Sequence, residues 1–124
     1  MLNKTILVVE DEPDLLDLIH ELLDMEGYTV LDAGSASAAF EIWEKNSDLI
    51  DLLLTDLTLP EGTTGVELAG KLHAKKPSLK VIFTSGHTAD MVSKKYPLPS
   101  SASFLQKPFY PNALAQTVLR SLNS

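Results

Sequence analysis

Acidic side chains directly follow the first apolar run of the sequence. The stretch reads Ile-Leu-Val-Val-Glu-Asp-Glu-Pro, so Glu10, Asp11 and Glu12 stand where a buried strand would end. Neighbouring carboxylates repel one another, and the repulsion grows as water is excluded. A hard divalent cation such as Mg2+ binds carboxylate oxygens and would remove that repulsion. Acids also favour the first turn of a helix, and we expect Glu12 to act there as a cap.

Further polar residues stand at the ends of later apolar runs. Asp56 follows the third run, Ser85 the fourth, and Lys107 the fifth. In an open parallel sheet the carboxyl ends of the strands meet at one edge, where ligands bind. The lysine and the serine hydroxyl suit phosphoryl oxygens, and an Asp carboxylate can itself be a nucleophile. The sequence therefore predicts a phosphoryl and magnesium site at this edge.

Apolar runs alternate with segments of helical spacing along the whole chain. The runs predict strands over 6–9, 28–32, 49–55, 81–84 and 103–105. The spacing predicts helices from residue 13 to just before Gly27, and over 36–45, 65–75 and 111–122. Such alternation favours a parallel sheet covered on both faces. Residues 88–95 predict a short fourth helix, followed by a loop over 96–102.

Apolar and histidine positions lead to further expectations about burial. The first helix has an apolar stripe, formed by Leu15, Leu18, Ile19, Leu22 and Leu23. We expect this stripe in the core, together with Phe40, Trp43 and Phe83. His20 and His73 lie in helical segments, and we expect both to face solvent.

Composition limits the class of protein. A chain of 124 residues with 44% hydrophobic content and 22% charged content predicts one globular domain over 1–124. The net charge of −7 argues against a direct nucleic-acid contact. The sequence has no cysteine, which excludes disulfides and fits a reducing compartment. We see neither a signal peptide nor a membrane span, and therefore expect a cytoplasmic domain without membrane contact.

Four pieces of sequence resemble those of one known family. They are ILVVEDEP, DLLLTDLTLPEGTTG, VIFTSG and FLQKPF, in that order. Together they resemble the receiver domain family of response regulators, over essentially the whole chain. The resemblance implies an α/β, flavodoxin-like (βα)5 fold, a doubly wound sandwich with five parallel strands in the order 2-1-3-4-5. It also implies a switch that takes a phosphoryl group from a phosphohistidine and needs Mg2+.

The resemblance assigns roles to individual residues. It makes Asp56 the phosphoacceptor, and it makes Glu10 and Asp11 the acidic pair that positions Mg2+, together with Asp56. The main-chain carbonyl of Thr58 corresponds to a further metal ligand. The acidic pair departs from the commoner Asp-Asp, because Glu10 adds one methylene of reach.

The remaining implied roles concern the switch. Ser85 holds the hydroxyl position. The side chain of Lys107 would pair with the phosphoryl group, and the peptide bond between Lys107 and Pro108 would be cis. Phe104 holds the aromatic switch position, where it lacks the hydroxyl of a tyrosine. His87 follows Ser85 by two residues and could influence loss of the phosphoryl group. The surface of the fourth helix, fifth strand and fifth helix would change on phosphorylation.

The implied partner is a histidine kinase or a histidine phosphotransfer domain. The sequence also resembles the C-terminal receiver of a hybrid sensor histidine kinase, and a stand-alone receiver stays open. The sequence does not indicate a downstream partner. In either case the domain would be a switch and not a multiple-turnover enzyme.

The sequence gives less support to three other functions. A flavin or nucleotide carrier would need a phosphate-binding loop after the first strand, where this chain has acids that repel phosphate. A phosphohydrolase of the haloacid-dehalogenase type would need a second acid at position 58, which is Thr58. A degenerate receiver that only binds proteins is disfavoured because the five site residues are intact.

Overall fold

The computed structural model has one parallel sheet with helices on both faces, and it describes residues 3–86, 91 and 102–124. The strands are β1 (Thr5–Val9), β2 (Thr29–Ala33), β3 (Ile50–Asp56), β4 (Lys80–Ser85) and β5 (Ser103–Gln106). The helices are α1 (Pro13–Met25), α2 (Ala36–Asn46), α3 (Gly65–Lys75) and the C-terminal helix (Pro111–Asn123). The strand order is β2-β1-β3-β4-β5, as expected, and the strand bounds lie within two residues of those predicted.

The helix ends follow from local sequence. Ser35 caps α2 by accepting from the main-chain N–H of Ala38, and Thr64 caps α3 by accepting from Glu67. Pro13 opens α1, and Gly27 follows its end with a φ of 93° that a glycine adopts without strain.

The expected cap at the start of α1 was wrong. Glu12 holds the N-cap position, but its side chain makes no capping hydrogen bond to any of the described residues. Its main-chain N–H instead donates to Oε2 of Glu10 at 3.1 Å. The carboxylate that accepts a main-chain N–H at the start of α1 is thus that of Glu10 and not that of Glu12.

The sheet is buried on both faces by separate hydrophobic clusters. The cluster beneath α2 and α3 includes Trp43 and Phe83, with Phe40 partly buried against it. The cluster beneath α1 and the C-terminal helix includes Ile19, Leu23 and other apolar residues. Trp43 and Phe83 therefore lie in the core as expected, while Phe40 lies at its margin.

One member of the predicted stripe lies outside the core. Leu18 is 49% exposed, whereas Leu16 packs against the cluster beneath α1. An α-helix turns about 100° per residue, so Leu18 lies about 100° from the buried Ile19 and Leu16 only about 60° from it. The spacing rule therefore placed Leu18 in the core, where Leu16 packs instead.

The two described histidines differ. His73 is exposed, as expected. His20 is only partly exposed, and its Nδ1 lies 2.8 Å and 2.9 Å from the carboxylate oxygens of Asp32 on β2. The expectation that His20 faces solvent was therefore only partly right, because 40% of its side chain is exposed while its ring pairs with Asp32.

Some expectations fall on residues that the structure does not describe. They are His87, nearly all of the predicted fourth helix over 88–95, and nearly all of the loop over 96–102. Within the described part of the chain, no helix combines the length and apolar character needed to cross a bilayer.

Candidate functional site

Three carboxylates meet at the carboxyl edge of the sheet. Oxygen atoms of Glu10, Asp11 and Asp56 all lie within 4.8 Å of one another. Glu10 directly follows β1, and Asp56 is the last residue of the neighbouring strand β3. The cluster is thus a direct result of the parallel pairing of two strands. Glu10 and Asp56 are buried, and Asp11 is exposed.

A lysine that follows the edge strand β5 pairs with the buried acids. Nζ of Lys107 lies 2.7 Å from Oε1 of Glu10 and 2.7 Å from Oδ2 of Asp56. Lys107 follows β5, and its main-chain N–H donates to the carbonyl of Ser85 at 2.8 Å. Its peptide bond to Pro108 is cis, as the resemblance implied. The long side chain thereby crosses the end of β4 and pairs with both acids.

The carboxylate of Asp56 is oriented by contacts at both of its oxygens. Oδ1 accepts from the main-chain N–H of Thr58 at 3.1 Å, and Oδ2 accepts from Lys107. Only 8% of Asp56 is exposed, yet the exposed Asp11 beside it leaves the cluster open to solvent on one side. These two contacts hold the Asp56 carboxylate in a fixed orientation.

Burial and charge compete in this cluster. Burial raises the pKa of Glu10 above its ordinary value of 4.5, although the hydrogen bonds from Lys107 and from the Glu12 N–H oppose that rise. Burial alone would lower the pKa of Lys107, but its hydrogen bonds to Asp56 and Glu10 outweigh this and raise it. Lys107 therefore stays charged. Its single positive charge does not balance the negative charges of the carboxylates.

The donor set fits a hard divalent cation. The three carboxylates and the Lys107 ammonium together carry two negative charges. A divalent ion balances that charge, and carboxylate oxygens are the ligands that Mg2+ prefers. An acidic triad of this kind is typical of the magnesium site of receiver domains.

The loop after β3 is closed tightly beneath the cluster. Leu57 donates to the carbonyl of Thr84 at 2.9 Å and accepts from Gly65 at 2.8 Å. Thr58 and Thr64 pair as an antiparallel bridge. The loop therefore leaves the sheet after Asp56 and reaches the start of α3 nine residues later.

The first residue of α3 lies against the main chain of the acid. A Cβ added at Gly65 would clash with the carbonyl oxygen of Asp56 and lie 3.0 Å from its carbonyl carbon. Sequence reasoning did not single out Gly65. A signal was present in the sequence. The residue directly after an N-cap threonine has ordinary helical dihedral angles, so a glycine there is not needed for its backbone freedom and instead indicates close packing.

The other predicted residues have distinct placements. Ser85 is buried at the end of β4, and Thr58 is exposed just past β3. Phe104 is partly buried, pairs in register with Phe83, and packs against the cluster beneath α2 and α3. The described residues with predicted chemical roles thus lie at the carboxyl edge of the sheet. Phe104 lies within β5, before that edge.

The sequence matches the family model described as response regulator receiver domain, over residues 6–119. The chain belongs to the receiver domain family. It is therefore a receiver domain of two-component signalling and not a conventional enzyme. Receiver domains partner with histidine kinases and histidine phosphotransfer proteins.

Two curated relatives show the settings in which such domains occur. The sensor kinase CckA of Brucella abortus (strain 2308) is 36% identical over 120 residues, which cover 97% of this chain and 13% of that protein. The response regulator receiver protein CpdR of the same organism is 31% identical over 119 residues, which cover 96% of this chain and 97% of that protein. The choice between a hybrid kinase and a separate receiver stays a prediction.

Solved structures agree with the fold. A response regulator receiver protein from Sinorhizobium medicae WSM419 matches with a TM-score of 0.87 and 27% identity, covering 98% of this chain and 96% of that one. The receiver domain from the hybrid histidine kinase CckA matches with a TM-score of 0.79 and 33% identity, covering 95% of this chain and 98% of that one.

Proposed function

We propose that the whole chain, 1–124, is one receiver domain in which Asp56 accepts a phosphoryl group from a phosphohistidine. The observation that carries the proposal is the orientation of the Asp56 carboxylate by Lys107 and by the Thr58 N–H, inside a cluster with two uncompensated negative charges. The donor is a histidine kinase or a histidine phosphotransfer domain. The setting is the cytoplasm.

The transfer exchanges one bond to phosphorus for another. A carboxylate oxygen of Asp56 attacks the phosphorus atom, and the bond between phosphorus and the imidazole nitrogen breaks. The electron pair of that bond stays on the imidazole nitrogen, which takes a proton from solvent. The product is an aspartyl phosphate, one of the covalent forms that a carboxylate nucleophile can produce.

The chain's own groups prepare this reaction. The Thr58 N–H holds one oxygen of Asp56, and Lys107 places a positive charge where the phosphoryl oxygens arrive. Glu10, Asp11, Asp56 and the main-chain carbonyl of Thr58 would hold Mg2+. When bound, Mg2+ neutralises charge on the phosphoryl oxygens.

The proposed output is a population shift between two conformations. The Ser85 hydroxyl would bind the phosphoryl group, and Phe104 would turn further into the core. Since β5 joins Phe104 to Lys107, the surface formed by the segment before β5, β5 itself and the C-terminal helix would change with them. A charge change at one site can bias such a two-state equilibrium.

The charge distribution supports a partner with a basic surface. Residues 5–44 contain no lysine or arginine, although the chain has ten such residues in total. The same stretch holds eleven of the seventeen acids, and several of them lie on α1 next to the exposed Leu18. Opposite charges steer encounter and fix orientation, so the acidic surface of α1 suits a basic partner.

The test uses acetyl phosphate as a small donor with Mg2+ present, and intact mass as the readout. Wild type is compared with Asp56→Asn and with Asp51→Asn. Asp51 lies on the same strand, but its carboxylate accepts from the Thr5 N–H at the start of β1, away from the cluster. We expect one phosphoryl group on wild type and on Asp51→Asn, and none on Asp56→Asn or without Mg2+.

A phosphoryl group that persists in Asp56→Asn would contradict the assignment of the acceptor. If wild type gains no mass, beryllofluoride and phosphorylated histidine kinases are the next probes, because some receivers do not use small donors. Failure of all three would favour a degenerate receiver that only binds proteins.

A further inference from the structure

A contact between α2 and the loop after β3 joins two segments that border the acidic cluster. The hydroxyl of Ser37 donates to the Glu61 carboxylate, at 3.2 Å from Oε1 and 3.3 Å from Oε2. Ser37 lies in the first turn of α2, where free main-chain N–H groups give the helix end a positive partial charge. The Glu61 carboxylate is therefore stabilised by the hydroxyl and by the end of the helix together.

The backbone of Glu61 has an unfavourable conformation, which the contact of its side chain compensates. Its φ is 71° and its ψ is 16°, and it is the only non-glycine residue with positive φ in the described part of the chain. Glycine adopts this conformation without strain, while other residues do so at a cost. Such a residue persists where the surroundings compensate, and the Ser37 contact is a compensation that glycine could not provide.

Each of the two segments joined by this contact is also hydrogen-bonded to a member of the acidic cluster. The Glu10 N–H donates to the carbonyl of Ala33 at 3.0 Å, which attaches the start of the connection to α2 to the acidic pair. Ser37 follows Ala33 by four residues. On the other side, Glu61 follows Thr58 by three residues, and Thr58 is bonded to Asp56. The contact thus ties the loop that carries Thr58 to α2, and the connection before α2 is hydrogen-bonded to Glu10.

We propose that Ser37 and Glu61 are positioning residues for the metal site. Their contact holds the loop so that the main-chain carbonyl of Thr58 stays beside the acidic cluster. Neither residue touches the metal or the phosphoryl group. The inference rests on the proposed function, in which that carbonyl is a Mg2+ ligand.

The test is a titration of the protein with Mg2+ alone, followed by amide chemical shifts. Ser37→Ala removes the hydroxyl without changing the charge, and Glu61→Ala removes the carboxylate. Loss of an exposed hydrogen bond to a charged group predicts binding of Mg2+ that is about three- to tenfold weaker for each variant. The double variant should bind no more weakly than the single ones, because both remove the same contact.

Two controls separate the contact from general effects. Ser37→Thr keeps the hydroxyl and should keep the wild-type affinity for Mg2+. Glu41 is exposed on α2, one turn after Ser37, so Glu41→Ala removes the same charge without removing the contact. We expect its affinity to stay within about twofold of wild type, since exposed charges are strongly screened.

Comparison of two substitutions at position 61 separates positioning from stability. Glu61→Gly and Glu61→Ala both lack the carboxylate, but only glycine relieves the backbone. We expect Glu61→Gly to resist urea unfolding better than Glu61→Ala while binding Mg2+ equally weakly. A merely structural role for Glu61 predicts that Mg2+ affinity follows stability.

Wild-type affinity for Mg2+ in Ser37→Ala, or recovered affinity in Glu61→Gly, would overturn the proposal. Asp11→Asn reports separately on the proposed function. If Asp11→Asn binds Mg2+ as wild type does, the assigned metal site is wrong, and the inference fails with it. If Asp11→Asn loses binding and Ser37→Ala does not, the metal site stands and only the positioning role is refuted.

Discussion

The close approach of α3 to Asp56 leads to a prediction for which a second glycine of the same helix serves as the control. α3 contains two glycines, Gly65 at its start and Gly70 near its middle. A Cβ at Gly70 would meet nothing within 4 Å. A Cβ at Gly65 would clash with the carbonyl oxygen of Asp56 and lie 3.0 Å and 3.1 Å from the Asp56 carbonyl carbon and the Leu57 Cα. The same substitution therefore meets two opposite environments within one helix.

The expected effects on stability have opposite signs. Alanine is a better helix former than glycine, so Gly70→Ala should stabilise the protein by about 0.5–1 kcal/mol. In Gly65→Ala the start of α3 must move away from β3 by at least about 0.4 Å before the carbon contacts reach an ordinary separation of 3.4 Å. Such overpacking costs about 1–3 kcal/mol, which exceeds the gain in helix propensity. Urea unfolding of the two variants and wild type measures both values.

The effect on phosphorylation follows from where the displacement falls. Gly65→Ala pushes on the main chain of the phosphoacceptor itself, and small misplacements of reacting groups slow reactions strongly. We expect the initial rate of phosphorylation by acetyl phosphate to fall by about tenfold in Gly65→Ala and to be unchanged in Gly70→Ala. A Gly65→Ala variant with the wild-type rate and with stability equal to that of Gly70→Ala would refute the reasoning.

Two further predictions concern other parts of the molecule. Lys76 Nζ donates to the carbonyls of Ser47 and Ile50 at 3.0 Å and 2.6 Å, so Lys76→Met should lower the free energy of unfolding by about 1–3 kcal/mol in urea titrations. The exposed neighbour Lys75 is the control, and Lys75→Met should cost little. In Mg2+-free buffer, the raised pKa of Glu10 means that the folded state holds its proton more tightly than the unfolded state. The stability of wild type relative to Glu10→Gln should therefore fall as the pH rises through and above 4.5, and a difference that grows with pH would contradict this.

Much of the fold and site could be predicted because the signals are local. Apolar runs predicted the strands, and the rule that parallel strands end at one edge was enough to bring Glu10, Asp56 and Lys107 together. The start and the end of α1 followed from Pro13 and Gly27. Each of these inferences needs only neighbours in sequence and one topological rule.

The failures of sequence reasoning involve contacts between distant segments. The pairing of His20 with Asp32 depends on how α1 lies on β2, which the spacing of apolar residues fixes only roughly. The contact between Ser37 and Glu61 depends on a left-handed backbone at a glutamate that precedes a glycine. Gly62 also has a positive φ, of 77°, and a reader of the sequence expects that conformation at the glycine alone, so the direction of the Glu61 side chain was not predicted.

The hydrogen bond between the Lys107 N–H and the Ser85 carbonyl has a kinetic consequence. It joins the main chains of the two residues that are proposed to contact the phosphoryl group. Neither residue can move far without moving the other, so intermediate arrangements with only one of them displaced are disfavoured. In relaxation-dispersion measurements, the amides near both residues should therefore report one common exchange rate. The domain would then respond in a single step, with no partly switched species to send a partial signal.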